Sequence, residues 1–124
     1  MSWYELCTVH FDWVKHGERL GKDYAEKLIE KTAFMSAEVL IYCPQIGGYV
    51  VYDSKVAPKS PYVDNDVDVL EILIEKGHEK GIKIVPMFLH TSIGGAGLQA
   101  KEHPDWIIRR ADGKPHWTSM WMCI

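Results

Sequence analysis

Hydrophobic and polar positions alternate from Glu5 to Asp12 in "ELCTVHFD", and the period of two predicts a β-strand running roughly from Trp3 to Phe11. Cys7, Val9 and Phe11 make one apolar face; Leu6, Thr8, His10 and Asp12 make the other, which grows polar toward its C-terminal end. After the loop "HGERLG" the period lengthens. Ala25, Leu28, Ile29, Thr32 and Met35 form a single stripe, which predicts a helix starting near Asp23, with Glu26, Lys27, Glu30 and Lys31 on the solvent side. "AEVLIYC" is almost wholly apolar, as a strand covered on both faces should be. A long loop from Pro44 to about Asp64 precedes "NDVDVLEILIEKGHEKG", read as a helix capped by Asn65 or Asp64 and stopped at Gly81. "IKIVPMFLH" is the third strand, although Pro86 cannot donate to a ladder and counts against a central position.

Strand, helix, strand, helix, strand predicts right-handed βαβ units, a parallel sheet and an α/β fold. The helix-to-strand links are short. The strand-to-helix links are long and rich in Gly, Trp, His and Tyr, and in such folds function gathers at the C-terminal ends of the strands. The last stretch, "HWTSMWMCI", ends on apolar residues. Three strands and two helices would leave open sheet edges, and a complete (β/α) barrel needs about 250 residues. The expectation is therefore that residues 1–124 are one partial domain, the N-terminal portion of a TIM (β/α)8 barrel.

Composition narrows the function classes. A net charge of −3 with interspersed signs builds no basic stripe for nucleic acid and no cationic face for a membrane. Cys7, Cys43 and Cys123 are widely separated and in no CxxC pair, so neither a disulfide framework nor a structural zinc site is expected. No signal-peptide pattern or membrane-spanning apolar run is read, and the expected setting is cytoplasmic.

Several residues could carry chemistry. His10 and Asp12 share the polar end of the first strand, where they would meet a substrate or an ion; the plainer reading is a capping carboxylate and a packed imidazole. His90 ends the third strand as His10 ends the first, so the two imidazoles are expected to converge over one mouth. "CPQIGGYVVYDS" offers Tyr49 beside two glycines that suit a turn, and "HTSIGGAGLQA" lacks the frame of a phosphate loop. "HPDWIIRRADGKPHW" reads as a hairpin turning at Asp-Gly. Trp106 is expected to pack inside it, whereas Trp117 and Trp121 serve equally as packing or as platforms for the C–H faces of sugars. His16, His78 and His103 read as surface residues; Asp23, Asp66 and Asp68 read as helix-start charges.

The segments "VHFDW", "AEVLIYCPQIGGYVVYDSKVAPKSPYV", "GHEKGIKIVPMF" and "HPDWIIRRADGKPHW" together resemble, in the same order, the N-terminal part of the hypothetical glycosyl hydrolases. These are (β/α)8-barrel proteins similar to α-L-fucosidases and to barrel β-galactosidases. The resemblance spans essentially the whole chain. It implies a fourth strand, beyond Ile124, that ends in the principal acidic residue.

Glycoside hydrolysis normally needs two carboxyl groups, about 5 Å apart for retention and farther for inversion. Asp12 alone is expected at the mouth, so no catalytic residue is assigned within the chain. The leading expectation is a glycoside hydrolase acting on a glycan, with His10, Asp12, Tyr49, His90 and Trp117 binding substrate, and with no cofactor and no metal. One alternative is a metal-dependent carbohydrate hydrolase or deacetylase holding its ion through His10, Asp12 and His90. Another is a non-catalytic glycan-binding module.

Overall fold

A computed structural model describes residues 7–10, 19–46, 48–88 and 101–115. Its body is a parallel sheet of β1 (Cys7–His10), β2 (Val39–Tyr42) and β5 (Lys83–Pro86), joined through α1 (Lys22–Phe34) and α2 (Val69–Glu79). Two short strands, β3 (Gln45–Ile46) and β4 (Tyr49–Val50), form a hairpin immediately after β2. The sheet order is β1-β2-β5, so β2 is central and each strand–helix unit advances by one place. This is the α/β arrangement expected of the first units of a barrel.

Alternation along β2 sorts its side chains. Leu40 and Tyr42 are buried, while Val39 and Ile41 are half-buried. The buried pair joins Ala25 and Ile29 of α1 and Val69 and Leu73 of α2 in one core between sheet and helices. Thr32 is buried on the same helical stripe, and its Oγ1 donates to the Leu28 carbonyl at 2.8 Å, so the hydroxyl carries no unpaired burial cost. Met35, expected on that stripe, is instead the 49 % exposed C-cap of α1, because the helix ends one residue before it.

Both helices end in the same way. Ser36 and Gly81 lie in the left-handed region, at φ 56° and 72°. Ala37 N donates to the Thr32 carbonyl and Ile82 N to the Gly77 carbonyl, at 3.1 and 2.8 Å. These are Schellman turns, each followed by a buried apolar residue that hands the chain to the next strand. At its other end α2 starts later than expected. Its N-cap is Asp68, whose carboxylate accepts from Glu71 N at 2.9 Å, because residues 64–67 form a turn of their own, closed by Val67 N on the Asp64 carbonyl.

Pro86 fits the sheet for a reason that strand position alone does not reveal. Lys83 N and Met87 N donate to the Glu38 and Tyr42 carbonyls, both at 2.8 Å. In a parallel strand, alternate residues bond to alternate sides, so positions 84 and 86 face away from β2. The missing N–H of Pro86 therefore removes no bond from the β2–β5 ladder.

Candidate functional site

The C-terminal end of the parallel sheet is marked by three residues level in register, His10, Tyr42 and Pro86. Of His10 the backbone is described, level with Tyr42 in the parallel register. The face of β2 that carries Tyr42 is turned to α1, since the Tyr42 hydroxyl lies 3.5 Å from that of Tyr24. Burial pushes the Tyr42 phenol far above its ordinary range, and the neighbouring Tyr24 pushes in the same direction. Tyr42 is thus a neutral core residue under all ordinary conditions. Cys43, next along, is buried and donates its thiol to the Gln45 carbonyl at 3.1 Å; burial pushes the thiol up as well, so it is a poor nucleophile.

Tyr49 stands in the hairpin that springs from this same end. The pairing Ile46↔Tyr49 closes a tight hairpin, with Gly48 at φ 85°, which no β-carbon-bearing residue adopts easily. Tyr49 is half-buried there. The hairpin is anchored by Val51 N on the Pro44 carbonyl at 3.0 Å and Val69 N on the Val51 carbonyl at 3.0 Å. Lys59 clasps the rest of the loop: its ammonium donates to the Asn65 and Val67 carbonyls at 3.1 and 3.0 Å and pairs with Asp53. Sequence reading missed this clasp, because its acceptors are backbone carbonyls that no residue type announces.

Asp12, His90 and Trp117 lie outside the described residues, as do Trp121 and His16. His10 and Tyr49 are therefore placed at one end of the sheet, and the expected meeting of His10 with His90 concerns residues beyond that description. Among the described residues, no group of three His, Cys, Asp or Glu side chains could hold a metal ion.

A shallow groove of about 600 Å³ runs along α2, lined by Tyr52, Asp53, Asp68, Leu70, Glu71, Ile74 and Glu75. Its two aspartates are engaged near the helix start. Asp53 pairs with Lys59, and Asp68 accepts from both Glu71 N and Asp53 N. They act as loop fasteners, unsuited to the paired acid and base of glycoside hydrolysis.

Residues 101–115 contain the expected hairpin. Arg109 bridges Pro115 antiparallel, Arg110 N donates to the Lys114 carbonyl at 2.8 Å, and Gly113 turns the chain at φ 78°. Two side chains differ from expectation. Trp106 is 45 % exposed, where a packing role was expected, and His103 is half-buried because it stacks on that indole. Both follow from the 3-10 turn Pro104–Trp106, which brings the two rings together outside any apolar core.

The model of the family described as hypothetical glycosyl hydrolase 6 matches residues 24–122. The chain belongs to that family. Among solved structures it is similar to an α-amylase from Lactobacillus plantarum, with a TM-score of 0.57 and 16% identity over 95% of this chain and 31% of that one. It is also similar to the noncanonic maltogenic α-amylase AmyB from Thermotoga neapolitana, with a TM-score of 0.52 and 18% identity over 99% of this chain and 33% of the other. The chain thus spans about a third of the length of either amylase. At such identities the likeness establishes the fold, which is that of the N-terminal part of an amylase-like barrel. No curated protein matches the sequence. Among the described residues, no helix is long and apolar enough to cross a membrane.

Proposed function

We propose that this member of the hypothetical glycosyl hydrolase 6 family supplies the first strand–helix units and part of the substrate wall of an enzyme that hydrolyses glycosidic bonds. The observation that carries the reading is the family match across residues 24–122, on a parallel sheet whose long β2–α2 connection rises from the strand C-termini. His10, Asp12, Tyr49, His90 and Trp117 bind sugar in this proposal, through imidazole and carboxylate hydrogen bonds to hydroxyls and aromatic contact with ring C–H faces. The acid and the nucleophile or base come from strands outside residues 1–124.

The test uses the full-length gene product and nitrophenyl glycosides, among them α-L-fucoside, β-D-galactoside and α-D-glucoside. Release of nitrophenol from one of them, undiminished by a chelator, is the expected result; the choice among them decides whether the narrower kinship is with fucosidases or barrel galactosidases. Tyr49→Ala should then raise KM more than it lowers kcat. Failure to cleave any glycoside would sink the proposal. Activity abolished by chelation and restored by a divalent ion would favour the metal-dependent alternative.

A further inference from the structure

The stacked pair in residues 101–115 is not used by the sugar-binding wall proposed above. His103 and Trp106 lie with ring centroids 3.8 Å apart and planes 7° from parallel. Their shared turn holds them so: Pro104 opens the 3-10 segment, and Trp106 N donates to the His103 carbonyl at 3.0 Å. One face of the indole is therefore backed by an imidazole, yet the residue keeps 45 % of its surface exposed. Ile107 is extended, at φ −67° and ψ 128°, and Arg109 bridges Pro115 in the hairpin that follows. Ile108 is itself 38 % exposed. Arg110, in the same hairpin, is held by Asp112 at 3.0 Å, a donor and acceptor pair.

We propose that Trp106, backed by His103, is a stacking platform for a pyranose ring of a glycan chain. A flat indole fits the C–H face of such a ring, and the backing imidazole fixes its plane before the ligand arrives, which lowers the ordering cost of binding. The Arg110–Asp112 pair is suited to neighbouring hydroxyls. Trp106 is thereby a binding residue apart from the strand-end residues, and it favours longer glycans over single sugars. The inference rests on the carbohydrate reading of the family.

The full-length protein labelled with nitrogen-15 is titrated with maltohexaose, cellohexaose and xylohexaose while the indole N–H resonance of Trp106, assigned by Trp106→Phe, is followed. At least one hexasaccharide should move that resonance, and Trp106→Ala should weaken its binding roughly three- to tenfold. An unmoved resonance with all three sugars overturns the platform, even if Trp106→Ala fails to fold; so does a resonance moved by adenosine and by no sugar. Turnover of nitrophenyl glycosides with no response at Trp106 leaves the hydrolase reading standing and removes the platform. A response at Trp106 without turnover of any glycoside does the reverse.

Discussion

Lys59 is about one-fifth exposed at its side chain and satisfies two main-chain carbonyls, those of Asn65 and Val67, as well as Asp53. Replacing it with Met keeps the stem's packing but strands those acceptors. A loss of about 1–3 kcal/mol is expected in urea unfolding. Lys59→Arg should rescue little, because a planar fork cannot reproduce the converging geometry of a point ammonium. Tyr42 gives a second prediction at this scale. Its folded pKa is raised above the ordinary value near 10, so its contribution is whole below pH 10 and is lost as pH rises and the unfolded chain ionises. Tyr42→Phe should cost about 1 kcal/mol at pH 7, through the lost hydroxyl contact with Tyr24. Above pH 10 the parent should lose stability faster than the variant, by about 1.4 kcal/mol per pH unit from this one group. Parallel stability–pH curves for the two proteins would show the assignment to be wrong. Neither effect is visible in the sequence: a lysine in a polar loop reads as a solvated charge, and a tyrosine next to Cys43 reads as part of a strand without saying which face it takes.

The elements themselves were more legible, and the reason is periodicity. The stripe of Ala25, Leu28, Ile29 and Thr32 located α1, and the apolar run of β2 located the central strand. Boundaries were less readable because they depend on pairings between distant backbone groups. Asp68 caps α2 while also binding Asp53 N at 2.8 Å, so the loop and the helix share one carboxylate, and Asp64 and Asn65 are left outside. The two Schellman turns make a paired prediction. Gly81→Ala forces a β-carbon into the left-handed region and should destabilise by about 1–2 kcal/mol, although nothing lies within 4 Å of the new atom. Ser36→Gly relieves the equivalent strain and should stabilise by a few tenths of a kcal/mol to about 1, less than the full strain because glycine gives the unfolded chain more freedom. Thermal melts of the two single variants are the check, and shifts of the same sign would refute the shared geometry. Gly77 is a different case, since a β-carbon there would stand 2.6 Å from Ile84 Cδ1. Gly77→Ala should therefore cost about 1–3 kcal/mol by overpacking α2 against β5.

At the scale of the whole molecule, the sheet order β1-β2-β5 gives β2, among the described strands, a neighbour on each side. That order was legible because short helix-to-strand links leave a parallel crossover one place to land. What the sequence could not give is the way the β2–α2 connection folds back upon itself. Val50 N reaches the Pro58 carbonyl at 3.1 Å, Ser60 N returns to the Val50 carbonyl at 2.7 Å, and Leu20 N takes the Tyr62 carbonyl at 2.8 Å. These bonds join the loop to itself and to the residue just ahead of α1, so the wall bearing Tyr49 is ordered by the same contacts that secure the first unit. Val56, at 95 % exposure, sits on a stretch of that loop where the amides of Val56 and Ala57 donate to the Ser54 hydroxyl. Stability should then be graded. In native-state hydrogen exchange, the amides of β2 and of the buried turns of α1 and α2 should exchange last. Val50, Val51 and Ser60 should follow closely, and residues 54–57 should exchange first. If the Val50–Ser60 amides exchanged as fast as Val56, the loop would be a separate, weakly held flap. Tyr49 could then not be a fixed part of a sugar-binding wall, and the site would have to be assembled by the ligand.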